Sequence, residues 1–313
     1  GAQSLGENIS PADVDVLLNE LDSLEGTSDR ENRRRAELIE AISHVLIKET
    51  GEEDIRARFA DILVRSLPRV RGNSRAANAA REAICGNLYV FSESLDRRET
   101  SEKRDFSDVL SLLLVSLGEI RGVSRQANLA RIAVAEAFRF VLGRVSAGDV
   151  EAMIPVFLST FRETGNNSKN VSAIRAKRYL AGAFLDLLRK IPGNRHPEGI
   201  PLFLNALQSI PDSSEDRERD GTLTRSALLR VIEWMAPEAG EDDLRAVLYF
   251  LTGLMEKLPR RVYMMIYDYG GKEPCDGLIL WQDSLDVLYR IVERANLKPE
   301  EITAILGSLT GVL

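Results

Sequence analysis

Residues 66–83 read SLPRVRGNSRAANAAREA, and residues 116–133 read SLGEIRGVSRQANLARIA. Eleven of these eighteen positions are identical at an offset of fifty residues. A weaker third copy lies in 165–184, GNNSKNVSAIRAKRYLAGAF, where Arg175 takes the place of Arg81 and Arg131. Self-similarity with a fixed period of about 40–50 residues is typical of stacked repeat arrays. The sequence therefore predicts a repeat protein.

Each copy predicts two helices joined by a short turn. The first helix is followed by Gly72 or Gly122, where a helix end favours a left-handed residue. The second helix opens with Ser74 or Ser124, whose hydroxyl can cap its first turn. No sustained alternation of apolar and polar residues predicts a strand. We therefore expect an all-α chain.

The same pattern extends over the whole chain, so we expect one repeat domain over residues 1–313. It predicts about six antiparallel helix pairs and a closing helix at 298–312. The predicted pairs are 11–24/28–48, 51–70/74–92, 103–120/124–143, 147–163/168–190, 197–210/222–236 and 240–258/277–295.

The second helices carry a family resemblance. The segment IRAKRYLAGAF at 174–184 pairs an apolar residue with an arginine and continues with alanine and other small residues. AREA at 80–83 and ARIA at 130–133 fit the same pattern. This pattern resembles the second helix of HEAT repeats, in the HEAT/armadillo class. The resemblance implies a right-handed α-solenoid and a general role in scaffolding and adaptor binding.

The repeated arginines Arg81, Arg131 and Arg175 have two interpretations, and Arg34 is the expected counterpart in the first pair. The resemblance implies an internal ladder, in which each arginine hydrogen-bonds carbonyls or acids of a neighbouring repeat. The alternative is a row of cations that binds an acidic partner.

Charge is unevenly distributed among the predicted helices. The three central second helices carry +9 together, whereas residues 212–243 carry −6. Because second helices line the concave face in solenoids of this class, we expect a basic groove that binds an acidic peptide or protein. The alternative is that the charges alternate around solvated faces. The predicted groove residues are Arg75, Arg125, Arg131, Lys169, Arg175 and Arg178.

The last pair contains an aromatic insertion, VYMMIYDYGGKEPCDGLILW at 262–281. Tyrosine, tryptophan and methionine are enriched at protein interfaces, so the insertion is a second candidate partner surface. The alternative is an insertion that caps the open end of the core. The candidate binding residues are Tyr263, Met264, Tyr267, Tyr269 and Trp281.

Catalytic motifs are missing from the sequence. It has no phosphate-binding loop, no Gly-x-Ser-x-Gly, no His-Glu-x-x-His and no paired-cysteine motif. With two cysteines and two histidines, we expect no metal, no cofactor and no catalytic residue. Cys85 is expected to be a packed, inert thiol. No apolar run is long enough to span a membrane.

We therefore predict a non-enzymatic scaffold or adaptor that binds another protein or an acidic peptide. The alternatives are a nucleic-acid-binding protein of the HEAT-like DNA glycosylase type and a structural subunit of a larger assembly. The net charge of −7 disfavours nucleic acid. The chain begins Gly1-Ala2 without a methionine, so we expect that residues upstream were removed. The sequence does not decide the compartment, and an exported mature protein is one of the alternatives.

Overall fold

A computed structural model describes residues 11–48, 53–91, 106–145, 150–164, 170–191, 195–210, 215–257, 276–292 and 298–310. These residues are helical, with no strand among them, as the sequence predicts. The chain divides into two compact units, Gly1–Gly165 and Asn166–Leu313.

The first unit contains seven α-helices in its described residues. They are α1 (Pro11–Ser23), α2 (Asp29–Lys48), α3 (Glu53–Ser66), α4 (Arg75–Val90), α5 (Phe106–Glu119), α6 (Arg125–Leu142) and α7 (Ile154–Glu163). Short 3-10 turns follow α3 at Leu67–Arg69 and precede α7 at Glu151–Met153.

The second unit contains six α-helices in its described residues. They are α8 (Val171–Lys190), α9 (Ile200–Gln208), α10 (Glu215–Met235), α11 (Glu241–Lys257), α12 (Asp276–Val292) and α13 (Pro299–Thr310). Short 3-10 turns precede α9 at Pro197–Gly199 and follow α10 at Ala236–Glu238. None of the described helices is both long and apolar enough to cross a membrane.

One boundary differs clearly from the sequence prediction. The serine caps of α4 and α6 predict a hydroxyl residue, Thr222 or Thr224, at the start of α10, but the helix begins at Glu215. Thr224 is instead buried inside the helix, where its hydroxyl donates to the carbonyls of Ile174 and Asp220 at 3.1 and 2.6 Å. A threonine hydroxyl can therefore mark a helix–helix contact as well as a cap.

The helices of each unit pack in the manner of a helical repeat fold. In the first unit α2 packs on α4 and α4 on α6, while α1 packs on α3 and α5 on α7. In the second unit α8, α10 and α12 pack successively, as do α9, α11 and α13. Each unit therefore has a layer of first helices and a layer of second helices.

Small side chains bring the second helices of the first unit close together. Ala77, Ala80, Ala127 and Ala130 are fully buried in α4 and α6, where a larger side chain would separate the two helices. Larger side chains fill the core between the layers, as in the edge-on pair Phe138–Phe157 with ring centroids 4.8 Å apart.

Helix ends follow the repeat. Ser74 and Ser124 each accept a hydrogen bond from the backbone amide three residues on, at 3.0 and 3.1 Å. Gly72 and Gly122 have φ of +79° and +77°, so both are left-handed as predicted. In the third copy the cap of α8 is Asn170, two residues after the serine that the sequence comparison suggests.

Candidate functional site

Three arginines lie at one equivalent position in successive second helices. Arg35, Arg81 and Arg131 each stand seven residues after the serine that begins the helix, and all three side chains are 0% exposed. The counterpart in the first pair is thus Arg35, whereas Arg34 was predicted. Arg34 is half-buried and binds Glu20 with two hydrogen bonds of 2.7 and 2.9 Å.

Each buried arginine binds the turn that precedes its own helix. Arg131 donates to the carbonyl oxygens of Gly122 and Ile120 at 2.8 and 3.1 Å. It also donates to Oδ1 of Asn128 at 3.0 Å. Arg81 repeats this set with Gly72, Val70 and Asn78, and Arg35 has a similar set with Gly26, Leu24 and Asn32. These hydrogen bonds tie each second helix to the turn that joins it to its first helix.

For two of these arginines, Arg81 and Arg131, a glutamate from the next helix pair lies beside the guanidinium. Glu119 accepts from both Arg71, at 2.9 Å, and Arg81. Glu163 accepts from Arg121 and lies 3.9 Å from Arg131. The carbonyls bound by each arginine thus belong to its own pair, and only the acid comes from the neighbouring pair.

The fourth position of this series, in the second unit, is a lysine. Lys177 stands seven residues after the cap Asn170, is 4% exposed, and donates to Oγ of Ser209 at 3.0 Å. Arg175, which the sequence comparison matched to Arg81 and Arg131, is exposed and pairs with Asp220 at 2.6 Å. A hydroxyl replaces the glutamate here, so the lysine has no anionic partner among these contacts.

Burial disfavours the charged form of these groups. It lowers the pKa of Arg131 to about 10, against an opposing contribution from Glu163, and lowers the pKa of Lys177 to about 8. It also lowers the pKa of Arg35 and Arg81. A buried cation is favourable only where hydrogen bonds replace its hydration.

The predicted groove residues divide into three groups. Arg75 and Arg125 are exposed and form no ion pair or hydrogen bond with the residues that the structure describes. Arg175 and Arg178 both lie beside Asp220, Arg178 at 3.7 Å. Arg131 is buried, so its side chain reaches the turn and not the solvent. Lys169 lies outside the described residues.

The charge of +9 counted on the central second helices therefore overstates the charge at the surface. Arg81, Arg131 and Lys177 contribute to that count but lie in the interior. Glu82 lies beside Arg125, since burial raises the pKa of Glu82 and the charge of Arg125 opposes that rise. A charge count along a sequence includes every cation, whereas only exposed cations attract a partner.

The aromatic insertion falls mostly outside the described part of the chain. Tyr263, Met264, Tyr267 and Tyr269 lie outside it, and Trp281 is within α12 but its side chain is not among those described. Two tyrosines near the insertion, Tyr249 on α11 and Tyr289 on α12, are exposed.

Among the described residues, few groups could support chemistry. The Cys85 thiol is buried, and burial raises its pKa to about 12, so it is inert as predicted. Within the described segments no three histidine, cysteine, aspartate or glutamate side chains are grouped to hold a metal ion.

A cavity in the second unit was not predicted from the sequence. It lies on the layer of second helices, has a volume of about 410 Å³, and is lined by four arginines, one glutamate, a tryptophan and a proline. Its residues come from α8, α10 and α12 and from the segments that follow α8 and α10, so only the folded layer brings them together. The sequence feature that could have indicated this cavity is one arginine on each of three second helices.

Comparison with known protein families, with curated proteins and with solved structures finds no match.

Proposed function

We propose that this protein is a non-enzymatic scaffold or adaptor whose second helices bind an acidic peptide or protein surface. The observation that carries the proposal is the state of Arg75 and Arg125. They occupy the first position of α4 and α6, two second helices that pack on each other. Both are exposed and form no ion pair with the described residues.

The position of these arginines makes them unfavourable for the helices that carry them. A cation in the first turn opposes the positive end of the helix dipole, at a cost of about 0.3–1 kcal/mol. An acidic partner would remove that penalty and gain charge-assisted hydrogen bonds with the guanidinium groups. Half-exposed Leu129 and Ile132 on the same helix add apolar area beside Arg125.

The aromatic insertion is the second part of the proposal. We place a further partner contact on Tyr263, Met264, Tyr267, Tyr269 and Trp281, on the ground of their composition alone. A charge reversal at α4 and α6 leaves this second surface unchanged, so the two can be tested separately.

The test compares proteins captured from the native organism's lysate by three forms of the chain. These are the wild type, the double variant Arg75→Glu/Arg125→Glu, and the control Arg162→Glu. Arg162 is an exposed arginine on α7, which is the first helix of its pair. It also forms no ion pair with the described residues. We expect a partner that the wild type and the control retain and the double variant loses.

Equal capture by all three forms would contradict partner binding at Arg75 and Arg125 and would leave the insertion as the binding surface. Nucleic acid in the wild-type eluate, released by a rise in salt concentration, would instead support the nucleic-acid alternative. Circular dichroism of each variant confirms that the helices are intact.

A further inference from the structure

Ser209 lies at the position where the first unit places an acid. In the first unit the buried Arg81 donates to Glu119, the last residue of α5. In the second unit the buried Lys177 donates at 3.0 Å to Oγ of Ser209, which directly follows the last residue of α9. Both cations stand seven residues after the cap of their helix. Glu119 and Ser209 therefore occupy equivalent positions in the two units.

The residues that follow the glutamate and the serine support this correspondence. Ile120 follows the glutamate, and its backbone carbonyl accepts a hydrogen bond from Arg131, on the second helix of its pair, at 3.1 Å. Ile210 follows the serine, and its carbonyl accepts from Arg225, on the second helix of its own pair, at 2.9 Å. The acid and the hydroxyl thus belong to turns with the same pattern of contacts.

Lys177 is a buried cation that faces a neutral group. It is 4% exposed and forms no ion pair with the described residues. Burial lowers the pKa of Lys177 to about 8, whereas in Arg81 the charge of Glu119 opposes the same effect. A buried cation without an anion is unfavourable for a fold. A negative charge on residue 209 would therefore stabilise the second unit.

A phosphoryl group on Ser209 would supply this charge at the right distance. The phosphorus of a phosphoserine is as many bonds from Cα as Cδ of a glutamate is, so its oxygens reach about as far as a glutamate carboxylate. It adds a charge of about −1.5 to −2 and three acceptor oxygens. Ser209 is partly exposed, unlike the lysine behind it. Its position at the end of α9 opposes a phosphate, because the helix dipole is negative there, so the benefit depends on Lys177.

We propose that Ser209 is a phosphorylation site whose phosphate binds Lys177 and takes the place of the glutamate in the first unit. A protein kinase would transfer the terminal phosphoryl group of a nucleoside triphosphate to Oγ. The new Oγ–P bond replaces the bond from that phosphorus to the bridging oxygen, the nucleoside diphosphate leaves, and the hydroxyl proton is released. The modification fastens α8 to the turn after α9. The site shares no residue with the partner surface on α4 and α6 and is independent of it.

The first experiment measures what the phosphate does to stability. The full chain is made with phosphoserine incorporated at position 209 and is compared with the unmodified chain by urea denaturation. Both forms are also made with Lys177→Met, which keeps an apolar stem and removes the amine. We expect the phosphate to raise the equilibrium constant for folding about tenfold or more beside Lys177. In Lys177→Met we expect it to lower this constant, since only the helix dipole then acts on it.

Two further variants test the charge without a phosphate. Ser209→Glu and Ser209→Gln have side chains of nearly the same size and differ in charge. We expect Ser209→Glu to be the more stable of the two, and the difference to disappear when Lys177→Met is added. Mass spectrometry of the chain isolated from its native organism shows whether Ser209 carries a phosphate there, and we expect that it does.

Four results would overturn the proposal. They are a native chain with no phosphate on Ser209, a phosphate that lowers stability beside Lys177, the same effect of the phosphate with and without Lys177, and equal stability of Ser209→Glu and Ser209→Gln.

Discussion

Replacement of Arg131 by alanine tests whether the buried arginines hold the repeats together. The side chain is 0% exposed and donates to two backbone carbonyls and to Asn128. Arg131→Ala removes all three hydrogen bonds and leaves their acceptors in the interior. Arg125→Ala, six residues earlier on the same helix, removes an exposed guanidinium that contacts none of them.

The expected loss of stability follows from two opposing contributions. The lost guanidinium leaves its acceptors unsatisfied in the interior, and each buried unsatisfied group costs about 1–3 kcal/mol. Burial of the guanidinium opposes this, because desolvation lowers the pKa of Arg131 and disfavours its charged form. We therefore expect Arg131→Ala to lower the free energy of unfolding by about 3 kcal/mol, and Arg125→Ala by about 0–0.5 kcal/mol.

Urea denaturation followed by circular dichroism measures both values. Arg131→Met is a useful third variant, because it keeps an apolar stem and removes only the donors, and we expect it to lie close to Arg131→Ala. Equal and small losses in Arg131→Ala and Arg125→Ala would refute the assignment of a structural ladder. A stable Arg131→Met beside an unstable Arg131→Ala would show that the stem matters and the hydrogen bonds do not.

Three further predictions concern the acids between pairs, the glycines and Lys177. Glu119→Gln should lower the free energy of unfolding by about 1–3 kcal/mol and Glu163→Gln by less, because Glu119 hydrogen-bonds its buried arginine while Glu163 lies 3.9 Å from its own; urea denaturation compares the two, and a larger loss in Glu163→Gln would contradict this. Gly122→Ala should destabilise by about 1 kcal/mol, since φ is +77°. Gly86→Ala should stabilise by about 0.5–1 kcal/mol, since a Cβ there meets open space within a helix; melting temperatures that moved in the same direction would refute the distinction. Lys177 binds fewer protons in the folded than in the unfolded state between pH 8 and pH 10.5, so its contribution to stability should improve by about 3 kcal/mol over that range; the difference from Lys177→Met, measured at pH 7 and pH 10.5, should show this, and a pH-independent difference would disprove it.

Residue identity predicts the helices well and the buried positions less well. The glycines and the serine caps follow from conformational rules that act within a few residues, so Gly72, Gly122, Ser74 and Ser124 match their predictions. Arg175 was matched to the ladder because it is an arginine. The structure places Lys177 there, since the distance from the cap decides which side chain points inward.

Exposure explains the other differences. A charge of +9 on three helices suggested a strongly basic groove, but three of those cations are buried. The arginine-lined cavity was missed for the opposite reason. Arg189, Arg230 and Arg290 are far apart in sequence and belong to no motif, and only the packing of α8, α10 and α12 brings them to one place.

The internal repeat also indicates where function should be sought. Positions that are identical between copies, such as Arg81 and Arg131, bind carbonyls and acids inside the array. Positions that face outward differ, as Ala79 and Leu129 do at the same distance from their caps. A partner that binds residues which differ between copies contacts one position along the chain and does not bind every repeat equally. Arg75 and Arg125 are identical and exposed, and they form no ion pair or hydrogen bond with the described residues. They are therefore the exception, and for that reason the binding test begins with them.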